Sequence, residues 1–313
     1  MKKLLPLIIA LFLFTFTPSS VEAQTISLSV WPPLLETVIQ PGKAITQVFR
    51  LTNLGDDTII YAQIVPFEPS DELGHIKLSY EPSNVPRFVT SYFSLQNADL
   101  ELPSTIPLKT GQTQEFVLKI RVPETAPDSD YYFSFLFSAD TQGLISATGT
   151  RTLGSIAANI LLTVSQTGVL QPTAKIEQFS VGPTILDSFS PLNFILRLKN
   201  TSSTRLAVVG QIELKNTLNR TITTLPLRED NVLAHSIRQL ISETNPPQLL
   251  LGRYTATANI TPKNTTNTIS QTIYFYVFPY KALLILILLI ILLTTIKQKL
   301  HNNSKWKSFW PNS

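Results

Sequence analysis

Apolar and polar residues alternate in short runs over residues 24–280, the pattern of strands that bury one face. In residues 45–53 (ITQVFRLTN), Ile45, Gln47, Phe49 and Leu51 share one face, and Thr46, Val48, Arg50 and Thr52 the other. Residues 192–200 (LNFILRLKN) place Phe194, Leu196 and Leu198 together in the same way. Further strands are predicted over residues 58–67, 205–214, 156–165 and 269–278. They are short, rich in Thr, Ile, Val and aromatic residues, and separated by turn residues. No run in this region carries a convincing helical period, so the expected fold is all-β and built from antiparallel sandwiches.

One phrase occurs twice. RLTNLGDDTIIYAQI begins at Arg50, and RLKNTSSTRLAVVGQI begins at Arg197, 147 residues later. Each copy reads as strand, short polar turn, strand, most simply a hairpin. Asn53 and Asn200 stand where a short amide side chain can bond the backbone of the turn. A weaker repeat places Tyr132 and Tyr254 after a proline and a short loop, at the head of an alternating strand. Both suit the tyrosine corner of immunoglobulin-like sandwiches. Asn53 and Tyr132 are 79 residues apart, Asn200 and Tyr254 only 54, so the first unit carries about 25 extra residues, expected within 74–102. The expectation is two tandem immunoglobulin-like domains, at 24–166 and 174–279, joined by a short linker at 167–173 (TGVLQPT).

Two segments break the alternation with continuous apolar runs. Residues 1–23 have the charged start, apolar centre and small-residue Val21-Glu22-Ala23 ending of a secretory signal. Residues 282–296 (ALLILILLIILLTTI) carry no charge. Fifteen helical residues reach only ~22 Å against a ~30 Å hydrocarbon core, so flanking Lys281, Lys297 and the aromatic run 274–280 are expected to complete a transmembrane helix at 280–297. Lys297, Lys299, Lys305 and Lys307 follow that helix, which makes 298–313 a basic cytoplasmic tail by the positive-inside rule. Trp306, Phe309 and Trp310 in the tail are candidates for the inner interface. The expected arrangement is a single-pass type I protein of the cell membrane with its N-terminal domains extracellular and no stalk.

Charge changes this picture in one respect. The net charge of +4 comes from the termini and the membrane flanks, because residues 24–280 hold 18 basic and 20 acidic side chains. Nucleic-acid binding therefore gains no support. Within that region, residues 24–166 net −6 and residues 167–280 net +4, so the second unit is suited to dock the first or to rest on anionic headgroups. The chain has no cysteine, which removes disulfides and thiolate chemistry and leaves core burial to hold the domains.

No catalytic constellation is visible, and no cofactor, metal or catalytic residue is assigned. His75, His235 and His301 are isolated in sequence. Pro127-Asp128-Ser129-Asp130 with Glu124 offers carboxylate oxygens of the kind calcium takes, but reads first as a turn. LPSTIP, residues 102–107, is similar to a sorting motif but is internal and lacks the glycine. Sequons at Asn200, Asn219, Asn259 and Asn264 are expected by chance in so Thr-rich a chain.

The order of parts, with the stretches PGKAITQVFRLTN, GHIKLSY and LPSTIPLKTGQTQEFVLKIRVPE, resembles the WxL-interacting surface proteins of bacteria. That resemblance implies a first domain that binds peptidoglycan and a second that binds partner proteins. The family's Gly-rich segment after the proline strand is replaced here by TAPDSDYYFSF. A looser resemblance is to the immunoglobulin-like pilus chaperones, which bind client strands along a sheet edge. The expected function is non-catalytic binding or scaffolding in the cell envelope, with wall polymer or an exported surface protein as partner. The alternative is a membrane-tethered assembly chaperone acting by β-strand addition.

Overall fold

The computed structural model describes residues 25–79, 91–97, 101–140, 153–168, 172–245, 249–263 and 265–307. The expected signal at 1–23, and Phe309 and Trp310 of the tail, lie outside them.

The first ten strands are β1 (Leu28–Trp31), β2 (Leu34–Ile39), β3 (Ala44–Asn53), β4 (Thr58–Pro69), β5 (Ile76–Leu78), β6 (Phe93–Leu95), β7 (Ser104–Leu108), β8 (Thr113–Arg121), β9 (Ser129–Asp140) and β10 (Leu153–Val164). They form two sheets, β1-β3-β8-β6 and β2-β10-β9-β4, with β7 and β5 following one another along the free side of β4. The chain changes sheet between β1 and β2 at Pro32-Pro33, where missing amide donors interrupt any ladder. The core between these sheets is aromatic, and Phe49, Phe116, Phe133, Phe135 and Phe137 are fully buried in it.

The next eight are β11 (Ala174–Val181), β12 (Ile185–Leu186), β13 (Leu192–Asn200), β14 (Leu206–Asn216), β15 (Thr221–Val232), β16 (Ile237–Thr244), β17 (Gly252–Pro262) and β18 (Ile269–Val277). They repeat the plan as β11-β13-β16 packed on β12-β18-β17-β14-β15. A separate, mostly aliphatic core forms around Leu196, Leu198, Ile212, Leu214 and Ile260. Strand by strand the two sandwiches correspond, except that β5 and β6 have no counterpart in the second. Both fall within 74–102, where the extra residues were expected. Two pairings are parallel, β2 with β10 and β12 with β18, and the others are antiparallel.

Two sequence expectations are corrected. The repeated phrase is not a hairpin. β3 pairs with β1 and β8 in one sheet, while β4 pairs with β9, β7 and β5 in the other. β13 and β14 are likewise in opposite sheets. Each copy is an arch that carries the chain across the sandwich, because both its strands have an apolar face to bury and those faces meet in the core. The second correction concerns the tyrosines. Tyr254 behaves as a corner: it is buried, stacks on Phe275, and its hydroxyl accepts the amide hydrogen of Leu251 three residues upstream. Its counterpart at the third position of β9 is Tyr131, which is buried edge-on to Tyr92. Tyr132, one residue on, points to the opposite face of the sheet.

Helix α1 (Tyr280–Lys307) follows β18 with only Phe278 and Pro279 between them. Its segment Tyr280–Lys299 has 20 residues, mean hydropathy 2.2 and no burial against the sandwiches. At 1.5 Å per residue that segment reaches ~30 Å, so the flanks make up the length that the apolar run lacks. The helix also continues through residues expected to belong to the tail.

Candidate functional site

Asn53 and Asn200 close the two arches in the same way, as the sequence implied. The Asn53 amide donates to the carbonyls of Asp56 (2.8 Å) and Leu108 (3.0 Å), and its oxygen accepts from the Gly55 amide. Asn200 donates to Thr204 and Val232 and accepts from Ser202. Both side chains are buried and their polar atoms are used, so the sequon at Asn200 has no exposed amide to modify. These residues are structural.

The arginine that opens each copy is used differently. Arg50 pairs with Glu115 on the neighbouring strand. Arg197 reaches instead to the first sandwich, where its guanidinium is held by both carboxylate oxygens of Glu72, which follows β4. The Glu72 carbonyl also accepts the Gln239 amide (2.7 Å). Next to it, Gly74 at φ +94° leaves the space that Arg238 fills, where a Cβ would lie 1.3 Å from Nη1. A second cluster is half-buried around the buried Arg205. Asp130 accepts from the Tyr132 hydroxyl (2.8 Å) and from the Arg205 amide, and Tyr132 accepts from the Ala234 amide (2.8 Å). The Arg205 guanidinium reaches Glu36 at 3.2 Å. Between the clusters is a cleft of about 170 Å³, lined among others by Leu34, Phe67, Leu161, Leu233 and Ile237. The opposite net charges of the two halves thus meet as acids of the first sandwich on arginines of the second.

Burial pushes the Asp130 carboxyl above its ordinary range, outweighing Thr163, the Arg205 amide, the Tyr132 hydroxyl and the Arg205 charge. The folded chain therefore holds this proton more tightly than the unfolded chain does. Stability from this group is greatest below the ordinary carboxylate pKa and falls as pH rises through the raised value. Glu72 has the opposite sign, because its bond to Arg197 lowers its pKa and its contribution is lost as pH falls through that lowered value. Melting temperatures of the full chain in micelles, read between roughly pH 4 and 7, are expected to fall less with rising pH in Asp130→Asn than in the parent.

The turn at Pro127 separates its carboxylates. Asp128 accepts from the Gln166 amide, while Asp130 faces the second sandwich. Among the described residues, no group of three or more His, Asp and Glu is placed to hold a metal ion. His75 pairs with Asp71, and His235 lies in a turn at φ +58°.

The remaining feature is a sheet edge. β10 pairs along its whole length with β9, but β2 covers its other side only over residues 159–164. The Asn159 amide donates to Pro33 on that side, so by the two-residue period the backbone groups of Leu153, Ser155 and Ala157 point the same way. Among the described residues no strand pairs with them. Sheet edges are usually guarded by Lys, Pro, a bulge or an inward charge. Here residues 153–158 read LGSIAA, and the register with β9 is unbroken. Edge strands β11, β15 and β16 carry charges and β7 carries Pro107. Partly buried Ile26, Leu28 and Ile156 lie at this margin of the core. β18 repeats the arrangement, since β12 covers only Tyr276 and Val277. Sequence reasoning missed these edges because nothing local states which strand fails to find a partner.

The fold and this edge define a tandem β-sandwich protein with an apolar C-terminal helix. No protein-family model and no curated protein matches the chain. Among solved structures it is similar to the class 5 fimbriae chaperone CfaA, at 12% identity and TM-score 0.39, over 79% of this chain and 98% of that one. It is similar also to the E. coli chaperone DraB, at 11% identity and TM-score 0.36, over 81% and 98%. A third is the Salmonella enterica SafA pilin in complex with the SafB chaperone, at 12% identity and TM-score 0.36, over 80% and 98%.

Proposed function

We propose that the chain is a non-catalytic, membrane-anchored envelope protein that holds an extended segment of another exported polypeptide by strand addition. The observation that carries this reading is the half of β10, residues 153–158, whose outer side pairs with no strand among the described residues. An added strand would satisfy the backbone groups of Leu153, Ser155 and Ala157 and set alternate side chains against Ile26, Leu28 and Ile156. The anchor is α1, and the lysines after its apolar segment orient the sandwiches to the outer side. The open part of β18 is a second edge of the same kind.

The test uses Ala157→Pro and Thr272→Pro in the full chain. Ala157 directs its amide to the open side of β10, so proline there leaves the ladder to β9 intact. Thr272 stands in the same relation to β18, because the Tyr276 amide donates to Thr184 on that side. A photocrosslinker at exposed Ser155 is expected to trap one exported polypeptide in the source envelope, and Ala157→Pro to abolish the trapping while Thr272→Pro spares it. Release of the trapped segment on assembly would make the protein a chaperone, and stable retention a scaffold. Retention on purified wall polymer, equal in the parent and in Ala157→Pro, would overturn strand addition.

A further inference from the structure

The end of the second sandwich that gives rise to α1 differs from its other end. Four connections meet there. They are the segment around β12, the β14–β15 hairpin, the β16–β17 link and the β18–α1 junction, brought together by the pairings Asn216↔Tyr254, Gly252↔Val277 and Leu192↔Thr244. Side-chain bonds tie them further, from Ser188 to the Leu250 carbonyl and from Thr217 to the Arg253 carbonyl.

Every one of these connections presents a large apolar residue to the outside. Ile185, Phe189, Leu218, Leu249, Leu251 and Phe278 are all exposed, Phe189 by 68% and Leu218 by 74%. Single exposed apolar residues need no explanation, but one at each tip of a single end does. At the opposite end the connections after β13, β15 and β17 hold no exposed large apolar residue among the described ones.

The position of this end relative to α1 is fastened. The buried Asp187 accepts the Lys281 amide (3.2 Å) in the first helical turn, where backbone donors have no partner within the helix. The Lys281 ammonium donates to Ser190 (2.8 Å). No stalk intervenes, so the tips stand about the point where the chain enters its apolar segment. Arg220 in the β14–β15 turn and Arg253 at the start of β17 lie at the same end, as basic residues at a headgroup layer do.

We propose that these four connections form a lipid-contacting face, sunk into the outer interface of the bilayer that α1 spans, which fixes the orientation of the sandwiches on the membrane. The occupant is the headgroup and upper acyl region of that bilayer. This rests on α1 as a span, and the experiment reads the span separately.

The chain has no cysteine, so single-cysteine variants of the full chain can be spin-labelled without background. Phe189→Cys, Leu218→Cys and Leu249→Cys probe the face, Asn267→Cys probes the far end, and Leu288→Cys probes the helix. Each is placed in nanodiscs of phosphatidylcholine at one chain per disc, and collision with oxygen is compared with collision with an aqueous nickel chelate. The expected result is an oxygen-to-nickel ratio several-fold higher at 189, 218 and 249 than at 267, and highest at 288. A high ratio at 288 with the three face positions as aqueous as 267 overturns the lipid-contacting face. An aqueous ratio at 288 overturns the span itself, and the proposal with it.

Discussion

Replacing Phe135 by alanine is expected to destabilise the first sandwich by about 3–5 kcal/mol, the usual range for emptying a fully buried phenylalanine site. Its ring is the meeting point of the aromatic core. It stands edge-on to Phe49 (5.6 Å) and Phe116 (5.5 Å) and tilted against Phe137 (4.4 Å), so the lost contacts come from both sheets. The neighbours are ring systems on strands fixed by long ladders, which limits how far the cavity can collapse. Denaturant unfolding of the full chain in micelles reads the loss. Hydrogen exchange locates it, with protection expected to fall in β3, β8 and β9 far more than in β13 or β17. An effect under 1 kcal/mol would show that this core is not the packed unit described.

The second large effect is expected at the arch asparagines. Asn200→Ala removes the bonds to the Thr204 and Val232 carbonyls and from the Ser202 amide; the Thr204 carbonyl keeps the Ser202 hydroxyl, but Val232 is fully buried. An unsatisfied buried backbone group costs about 1–3 kcal/mol, and part of this site has access to water, so roughly 2–4 kcal/mol is expected. Asn53→Ala removes the equivalent three bonds in the first sandwich. Asn200→Asp separates shape from chemistry. It keeps the outline but turns two donated bonds into contacts between a carboxylate and carbonyl oxygens, so it is expected to be worse than alanine at neutral pH and to recover in acid. Equal losses for Asp and Ala at all pH values would mean that shape alone matters there.

The particular residues show how far sequence reasoning reaches. Phe49, Leu51, Phe194, Leu196 and Leu198 were placed on buried faces by alternation, and they are buried. The repeated asparagine was read as a turn-bonding residue, and the hydrogen bonds are there in both copies. Strand periodicity and local side-chain-to-backbone bonding are short-range properties, so a stretch of ten residues contains them. The same stretch contained nothing to distinguish a hairpin from an arch, because both need an apolar strand, a polar turn and a second apolar strand. The partners that decide between them, β8 for β3 and β9 for β4, lie more than 60 residues away. Tyr132 illustrates the same limit: one position along a strand separates a core corner from a contact with the other sandwich, and a proline-loop-tyrosine pattern does not set that register.

The sequence by itself determined an all-β region built on a repeated unit, the buried face of each main strand, and one long apolar helix at the C-terminal end. These follow from periodicity, composition and length, which are properties of the chain alone. Only the tertiary structure decided that the repeat crosses the sandwich, that Glu72 and Asp130 meet Arg197 and Arg205, that half of β10 lacks a pairing strand among the described residues, and that exposed apolar tips share the end from which α1 leaves. Each of these depends on which distant segments share a sheet or an end of a sandwich, and the hydrogen bonds and burial that select those neighbours exist only once the chain has closed on itself.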